Sequence, residues 1–261
     1  DSLSPKNSAQ EVDIEALDRL EKLADVYERR GLYAQAEEII TLILQIRQEN
    51  LGADHLEVAA YLAELGWLSY QQARYLDAER RYLGALSITK KAFGPSHLDV
   101  ADLLSQLAGV YRGQSRYPEA ESLYRQALSI CKASVSSKHS DVAAVLANLG
   151  ALQAVRGRYD EADELTREAL ALLQNELAPD HPNITSIVNN LAWLNGKSGR
   201  YQQGETLYAR VLMIWEQQLG SDHPDVAVVL NALAEIHHAR REYERAEPLY
   251  LRSLAIREKM L

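Results

Sequence analysis

Apolar residues recur along most of the chain at the spacing of an amphipathic α-helix. In one stretch, two apolar stripes follow each other, formed first by Leu62, Leu65, Gly66 and Ser69 and then by Ala78, Tyr82, Ala85 and Leu86. A short link at Ala73 and Arg74 separates them, and later copies of the link carry Gly157 or Gly199. The pattern predicts two helices, A and B, joined by a tight antiparallel turn.

The same pattern returns every 42 residues. Two residue types mark this period, tyrosine at Tyr33, Tyr75, Tyr117, Tyr159, Tyr201 and Tyr243, and histidine at His55, His97, His139, His181 and His223. The period predicts six hairpins, at about 13–54, 55–96, 97–138, 139–180, 181–222 and 223–261. Residues 1–12, which are rich in serine, are predicted to be a flexible leader.

Small residues recur where helices A and B are expected to cross. They are Gly66, Ala108, Gly150, Ala192 and Ala234 in helix A, and Ala78, Ala120, Ala162, Gly204 and Ala246 in helix B. One hairpin cannot bury all its apolar surface, so neighbouring hairpins must stack. We therefore predict an all-α fold, a right-handed α-solenoid superhelix forming a single domain over residues 13–261, with the helices A lining its concave wall.

These positions match the tetratricopeptide repeat consensus, and one segment resembles the kinesin light chain repeat more closely. It runs from Gly220 through Ser221, Asp222, His223, Pro224, Asp225, Val226 and Ala227 to Leu230, Asn231, Leu233 and Ala234. The resemblance implies a concave groove that binds peptides. In the light chains such a groove takes cargo peptides that carry a tryptophan among acidic residues.

Composition narrows the choice of partners. The formal net charge of −9 argues against nucleic acid, and no stretch approaches the roughly 20 apolar residues that span a bilayer. Cys131 is the only cysteine, which favours a reducing compartment such as the cytoplasm. A protein or peptide partner, without a membrane, is the expectation.

Neither a metal site nor a catalytic site is predicted. Equivalent histidines in stacked hairpins lie roughly 10 Å apart, whereas zinc requires ligands at about 2 Å. Their place before helix A indicates helix capping instead. Phosphate-binding loops, nucleophile elbows and zinc-protease motifs are missing from the sequence, so we expect no cofactor and no enzymatic activity.

Variable polar and aromatic positions on the helices A form the predicted peptide-binding groove. They are Asn148, Asn189, Asn190, Asn231, Trp67, Trp193, Gln106, Arg112 and Lys197. Asparagine both donates to and accepts from a peptide backbone, and the two tryptophans suit either a pocket or packing between repeats. Arg74, Arg116, Arg158 and Arg200 recur at the turns, where they either steer an acidic ligand or neutralise nearby carboxylates.

The sequence therefore favours an adaptor-like scaffold that binds an extended peptide, and the resemblance implies an acidic, tryptophan-containing peptide as a candidate ligand. The alternative is an architectural or regulatory segment that associates with its own chain or with copies of itself. The pattern that continues through Leu254, Ile256 and Met260 motivates this alternative.

Overall fold

The computed structural model describes residues 14–259, which form α-helices joined by short loops. The helices are α1 (Ile14–Arg29), α2 (Tyr33–Leu51), α3 (Leu56–Gln71), α4 (Tyr75–Phe93), α5 (Leu98–Gly113), α6 (Tyr117–Ala133), α7 (His139–Val155), α8 (Tyr159–Gln174), α9 (Pro182–Lys197), α10 (Tyr201–Leu219), α11 (Pro224–Ala239) and α12 (Tyr243–Glu258). Odd-numbered helices are the predicted helices A and even-numbered helices the predicted helices B. The predicted all-α repeat fold is confirmed.

The chain divides into two compact units, Asp1–Arg116 and Tyr117–Leu261. Unit 1 contains α1 to α5 and unit 2 contains α6 to α12. Within each unit a helix packs mainly on the helices before and after it in the chain, as expected of a repeat array. The predicted leader over residues 1–12 lies outside the described residues, and the single domain over 13–261 stays a prediction.

Close approach of the two helices in a hairpin depends on the small residues at their crossing. A Cβ on Gly150 would lie 2.8 Å from the Thr166 hydroxyl and 3.3 Å from the Ala162 carbonyl oxygen. Ala78, Ala162 and Ala246 in the helices B are all buried. The predicted small-residue crossing is therefore present, and larger side chains there would force the helices apart.

Each turn between helices A and B contains one residue with a positive φ angle. Gly157 has φ of 74°, whereas Ala73 takes 56° at the equivalent position. The residue after it closes the turn, since the Arg74 N–H donates to the Ser69 carbonyl oxygen at 2.9 Å. The predicted turn forms in both cases, although alanine adopts this backbone conformation less readily than glycine.

Four of the five periodic histidines cap helices A. At His55, His97, His181 and His223 the Nδ1 atom accepts the backbone N–H two residues later, at 3.2 to 3.3 Å. His139 instead is the first residue of α7, where its Nδ1 lies 2.5 Å from Glu176 Oε1. The histidines therefore have structural contacts that account for their period.

A recurring carboxylate ties each hairpin to the next one in the same unit. Glu79 in α4 accepts from Gln114 at 2.9 Å and pairs with Arg116 at 3.0 Å. Glu205 in α10 pairs in the same way with Arg240 at 2.7 Å. Glu37, Glu121 and Asp163 hold the equivalent positions and pair with arginines of the following repeat, namely Arg74, Arg156 and Arg200. These half-buried ion pairs set the stacking register of neighbouring repeats.

Candidate functional site

Each helix A has one side that faces solvent, and we call this side its A face. In α3 the A face consists of Ala60, Ala63, Glu64 and Trp67, and in α9 of Ser186, Asn189, Asn190 and Trp193. At its C-terminal end the A face continues through Tyr70 and Gln71 in α3 and through Gly196 and Lys197 in α9. The other sides of both helices carry the buried core residues. Residues that vary between repeats are therefore presented on a constant framework.

The predicted groove residues of unit 2 all lie on A faces or at their ends. Asn148 and Asn190 are exposed at equivalent positions of α7 and α9, whereas Asn189 and Asn231 are half-buried at the neighbouring position. The Asn231 amide donates to Glu235 Oε1 at 2.9 Å. Asn148 and Asn190 therefore present amides that a peptide backbone can reach.

Trp193 and Lys197 contribute to a pocket of about 280 Å³ between α9, α10 and α11. Its lining residues are Trp193, Gly196, Lys197, Tyr201, Tyr208, Ala232, Glu235, Ile236 and Ala239. The Trp193 ring meets Tyr159 edge to face, with ring centroids 6.3 Å apart. Aromatic walls and a volume of this size suit one large side chain of a ligand.

Gly196 and Ala232 leave room for the pocket because neither has a large side chain. A Cβ built on Gly196 would lie 3.6 Å from Ile236 Cγ1, in ordinary van der Waals contact. Larger residues stand at the equivalent positions of other helices A, namely Tyr70, Arg112 and His238. Sequence reasoning missed Gly196, Tyr201, Ala232 and the rest of this lining, although an alignment of the six repeats against one another shows the missing side chain.

Two opposite charges flank the aromatic walls of the pocket. Lys197 Nζ lies 5.9 Å from the centroid of the Trp193 ring, which is a cation–π distance. Glu235 lines the pocket from α11. Burial, together with the negative charge of Glu235, raises the pKa of Tyr208, so this phenol stays protonated and is a hydrogen-bond donor.

The remaining predicted residues lie in unit 1. Trp67 is about one-third exposed on α3 and meets Tyr33 edge to face, with ring centroids 5.7 Å apart. Gln106 on α5 donates to Asp102 Oδ2 at 2.7 Å, and Arg112 is half-buried near the end of the same helix. These three residues do not belong to the pocket lined by Trp193 and Lys197.

The A faces of unit 1 are acidic. They carry six carboxylates, Asp18, Glu21, Asp25, Glu28, Glu64 and Asp102, and three cations, Lys22, Arg29 and Arg112. Burial, with the charges of Glu28, Asp25 and Glu21, raises the pKa of Glu64 to about 7. The A faces of unit 2 carry one carboxylate, Glu235, and one cation, Lys197. The two units therefore offer ligands different electrostatic environments.

The arginines at the turns are held in ion pairs. Arg74 pairs with Glu37 of the preceding repeat, Arg116 with Glu79 at 3.0 Å, and Arg200 with Asp160 at 2.9 Å. Arg158 lies 3.8 Å from Glu121 and 3.7 Å from Glu161. Of the two interpretations of this row, the geometry supports neutralisation of carboxylates, mostly those of the preceding repeat.

Within residues 14–259 no cluster of three or more histidine, cysteine, aspartate and glutamate side chains has the arrangement of a metal site. In the same range, no helix has the length and apolar character needed to cross a membrane.

Stacked hairpins with variable outward residues define a helical-repeat protein. The tetratricopeptide repeat model matches residues 14–83, 68–133, 141–203 and 189–259, and the chain therefore belongs to the tetratricopeptide repeat family. Proteins of this fold are typically non-enzymatic scaffolds for protein interactions. A comparison with curated protein sequences finds no match.

Solved structures confirm the predicted similarity to kinesin light chain repeats at the level of the fold. The nearly identical TPR-like repeats of a putative kinesin light chain from Podosopora anserina superpose with a TM-score of 0.67 and 23% identity, covering 79% of this chain and 98% of that one. BtubC (BKLC) from P. vanneervenii gives 0.69 and 22%, covering 94% and 92%. A Rap protein complexed with competence and sporulation factor gives 0.66 and 16%, covering 94% and 76%.

Proposed function

We propose that this chain is a scaffold that binds an extended peptide segment of a partner protein along the A faces of unit 2. The observation that carries the proposal is the aromatic pocket at Trp193, which Gly196 leaves open beside exposed asparagine amides. An anchor side chain of the peptide enters the pocket, and Asn148, Asn189, Asn190 and Asn231 bond its backbone. Such a groove would line the concave side of the predicted superhelix.

Charge supports unit 2 rather than unit 1 as the place for an acidic ligand. Lys197 is the cation beside the pocket, while the carboxylates around Glu64 would repel an acidic peptide from unit 1. Trp67, Gln106 and Arg112 then contribute to a separate surface of unit 1. The preferred ligand is a peptide with an aromatic anchor such as tryptophan, flanked by acidic residues.

Fold similarity adds one line of support. A neighbour with this fold, the Rap protein, was solved in complex with competence and sporulation factor. A short ligand that becomes ordered on binding would have a dissociation constant of roughly micromolar order. We therefore include in the proposal that the chain acts as an adaptor in the cytoplasm.

A peptide panel tests the proposal. Immobilised acidic peptides with and without a central tryptophan, and neutral peptides with one, are exposed to the purified chain at two salt concentrations. We expect salt-sensitive binding that requires the tryptophan. Absence of binding to every peptide would contradict the proposal.

Substitutions then locate the site. Gly196→Tyr fills the pocket and should weaken binding at least about tenfold, whereas Gly196→Ala leaves most of the volume and should change it little. Asn189→Ala combined with Asn190→Ala should also weaken binding, and Gln217→Ala, on an exposed position of α10, is the matched control. Equal affinities for Gly196→Tyr and wild type would place the peptide elsewhere.

A further inference from the structure

Most of one stripe of α12 is exposed, whereas its equivalents in earlier repeats are half-buried or buried. It consists of Tyr243, Glu247, Tyr250, Leu254 and Arg257, and we call it the α12 stripe. Leu254 is 52% exposed, whereas Leu86 at the same position of α4 is 7% exposed. Tyr250 is half-buried, while Tyr82 and Tyr208 are buried. In the earlier repeats the following helix A covers this stripe.

A complementary stripe lies on α1. It consists of Glu15, Leu20, Leu23, Val26 and Arg30, and we call it the α1 stripe. Leu23 is 42% exposed and Val26 37%, whereas Leu65 and Leu68, their equivalents in α3, are buried. In later repeats the preceding helix B covers this stripe. The described chain thus exposes both halves of one inter-repeat contact.

We propose that copies of this chain associate head to tail, with the α1 stripe of one copy packed on the α12 stripe of another. The packing uses the register of consecutive repeats. In that register Leu20 and Val26 take the places of Leu230 and Ile236, and Leu254 takes the place of Leu212. Inside the chain Leu212 and Trp215 pack on the cluster of Val226 and Leu230, so the apolar centre of the contact has a direct precedent.

Charges at both ends of the stripes match in the same register. Arg30 occupies the position of Arg240, and Glu247 the position of Glu205, which are paired at 2.7 Å inside unit 2. At the other end of the stripes, Arg257 and Glu15 stand where Arg47 and Glu57 pair at 3.3 Å. Two ion pairs between copies would therefore reproduce two pairs already made within the chain.

One position departs from the pattern and limits the affinity. Arg19, which pairs with Glu15 at 3.2 Å, stands where later repeats carry Tyr61, Leu103 or Ile187. It brings a second guanidinium near Arg257, with Glu15 between them. The contact is heterologous, so each added copy leaves one free stripe at each end and assembly continues with concentration.

Sedimentation velocity of the full chain over a concentration series tests the proposal. The chain should pass from a 29.3 kDa monomer to a series of growing species, and more strongly at low salt. Glu247→Arg and Arg30→Glu should each weaken association about tenfold, because a charge reversal converts attraction into repulsion. Glu244→Arg, on another side of α12, is the matched control and should leave association unchanged.

Mixing the Glu247→Arg and Arg30→Glu variants is the most specific test of the proposed contact. Each singly reversed chain repels its own kind, but the Glu247→Arg stripe of one variant meets the Arg30→Glu stripe of the other with opposite charges. An equimolar mixture should therefore associate more strongly than either variant alone.

A substitution at the apolar centre of the contact gives a further test. Leu254→Asp should abolish association, while the helix content measured by circular dichroism stays the same. A monomer up to about 1 mM, growth that stops at a dimer, or a mixture no more associated than its components would each overturn the proposal.

Discussion

Trp67 in unit 1 and Trp193 in unit 2 occupy the same position three repeats apart. Both rings meet a tyrosine edge to face. Beside Trp67, however, Tyr70 packs on Tyr75 with ring centroids 5.7 Å apart, whereas Gly196 stands in the place of Tyr70 beside Trp193. One framework therefore yields a filled surface in one unit and an open pocket in the other, where Gly196 and Ala232 replace Tyr70 and Gln106.

Charge separates the two regions as well. Beside the filled surface lie Glu28 and Glu64, whose pKa values are raised by burial and by neighbouring carboxylates. The open pocket has instead one lysine and one glutamate on its lining. The repeat keeps the core positions and leaves the A face free to differ, which is how a repeat array acquires separate binding surfaces.

The largest expected effect on stability comes from removing the Tyr70 side chain from the filled surface of unit 1. Tyr70→Gly removes a half-buried ring and places glycine in a helix, so we expect a loss of about 3 kcal/mol in the free energy of unfolding. Urea unfolding followed by circular dichroism measures it. Leu76→Gly, at a well-exposed position of α4, should lose only about 1 kcal/mol, and equal losses would show that the Tyr70 ring contributes nothing.

A second pair of substitutions tests what the two units share. Glu37→Ala in unit 1 and Glu121→Ala in unit 2 each leave half-buried donors unpaired, so each should lower the free energy of unfolding by about 2 kcal/mol. Glu38→Ala, an exposed neighbour, should change it by less than about 0.5 kcal/mol. A marked effect in only one unit would mean that the carboxylates do not play the same role in both.

The acidic face of unit 1 should make stability depend on pH. The pKa of Glu64 is raised from 4.5 to about 7, so the folded state holds its proton more tightly and loses stability as pH rises between those values. Glu64→Gln should therefore match wild type below pH 4.5 and exceed it by about 1 kcal/mol above pH 7, after allowance for solvent screening. Thermal unfolding across pH measures the difference, and Glu164→Gln in unit 2 is the control. A stability difference between Glu64→Gln and wild type that stays the same at every pH would contradict a raised pKa of Glu64.

The smallest effect is expected at the pocket itself. Gly196→Ala should raise the free energy of unfolding by about 0.5 to 1 kcal/mol, because alanine favours the helix and its Cβ meets only ordinary contacts. Gly204→Ala should have the opposite sign, since a Cβ there would lie 3.1 Å from the Ala192 carbonyl oxygen. Urea unfolding of both variants shows whether the steric clash of the added Cβ or the higher helix propensity of alanine has the larger effect at each glycine.

The repeat period was enough to predict the fold. Because every hairpin repeats the same apolar and small positions, the 42-residue spacing located the helices, the turns at Ala73 and Gly157, and the histidine caps. His139 differs from the other histidines because its helix starts one residue earlier, after a different loop sequence, Ser134–Lys138.

The site was predicted only in part, for a physical reason. Exposed asparagines and tryptophans are visible in a sequence, and Trp193 and Lys197 do line the pocket. A pocket is instead formed by what is missing, here at Gly196 and Ala232, and by residues of three helices. Similarly, the sequence alone did not decide between the two interpretations of the turn arginines. It does not show that Glu37 and Glu79 of the preceding repeats lie beside Arg74 and Arg116.

The most direct test is an NMR titration of the chain with the acidic, tryptophan-containing peptide that binds most tightly in the panel. The chain carries isotope labels in its alanine and isoleucine methyl groups. We expect saturable shifts of the Ala232, Ile236 and Ala239 methyl signals, which come from the pocket lining, while the signals of Ala60 and Ala63 on the A face of α3 keep their positions. Shifts at Ala60 and Ala63 with none at the pocket would contradict the proposal.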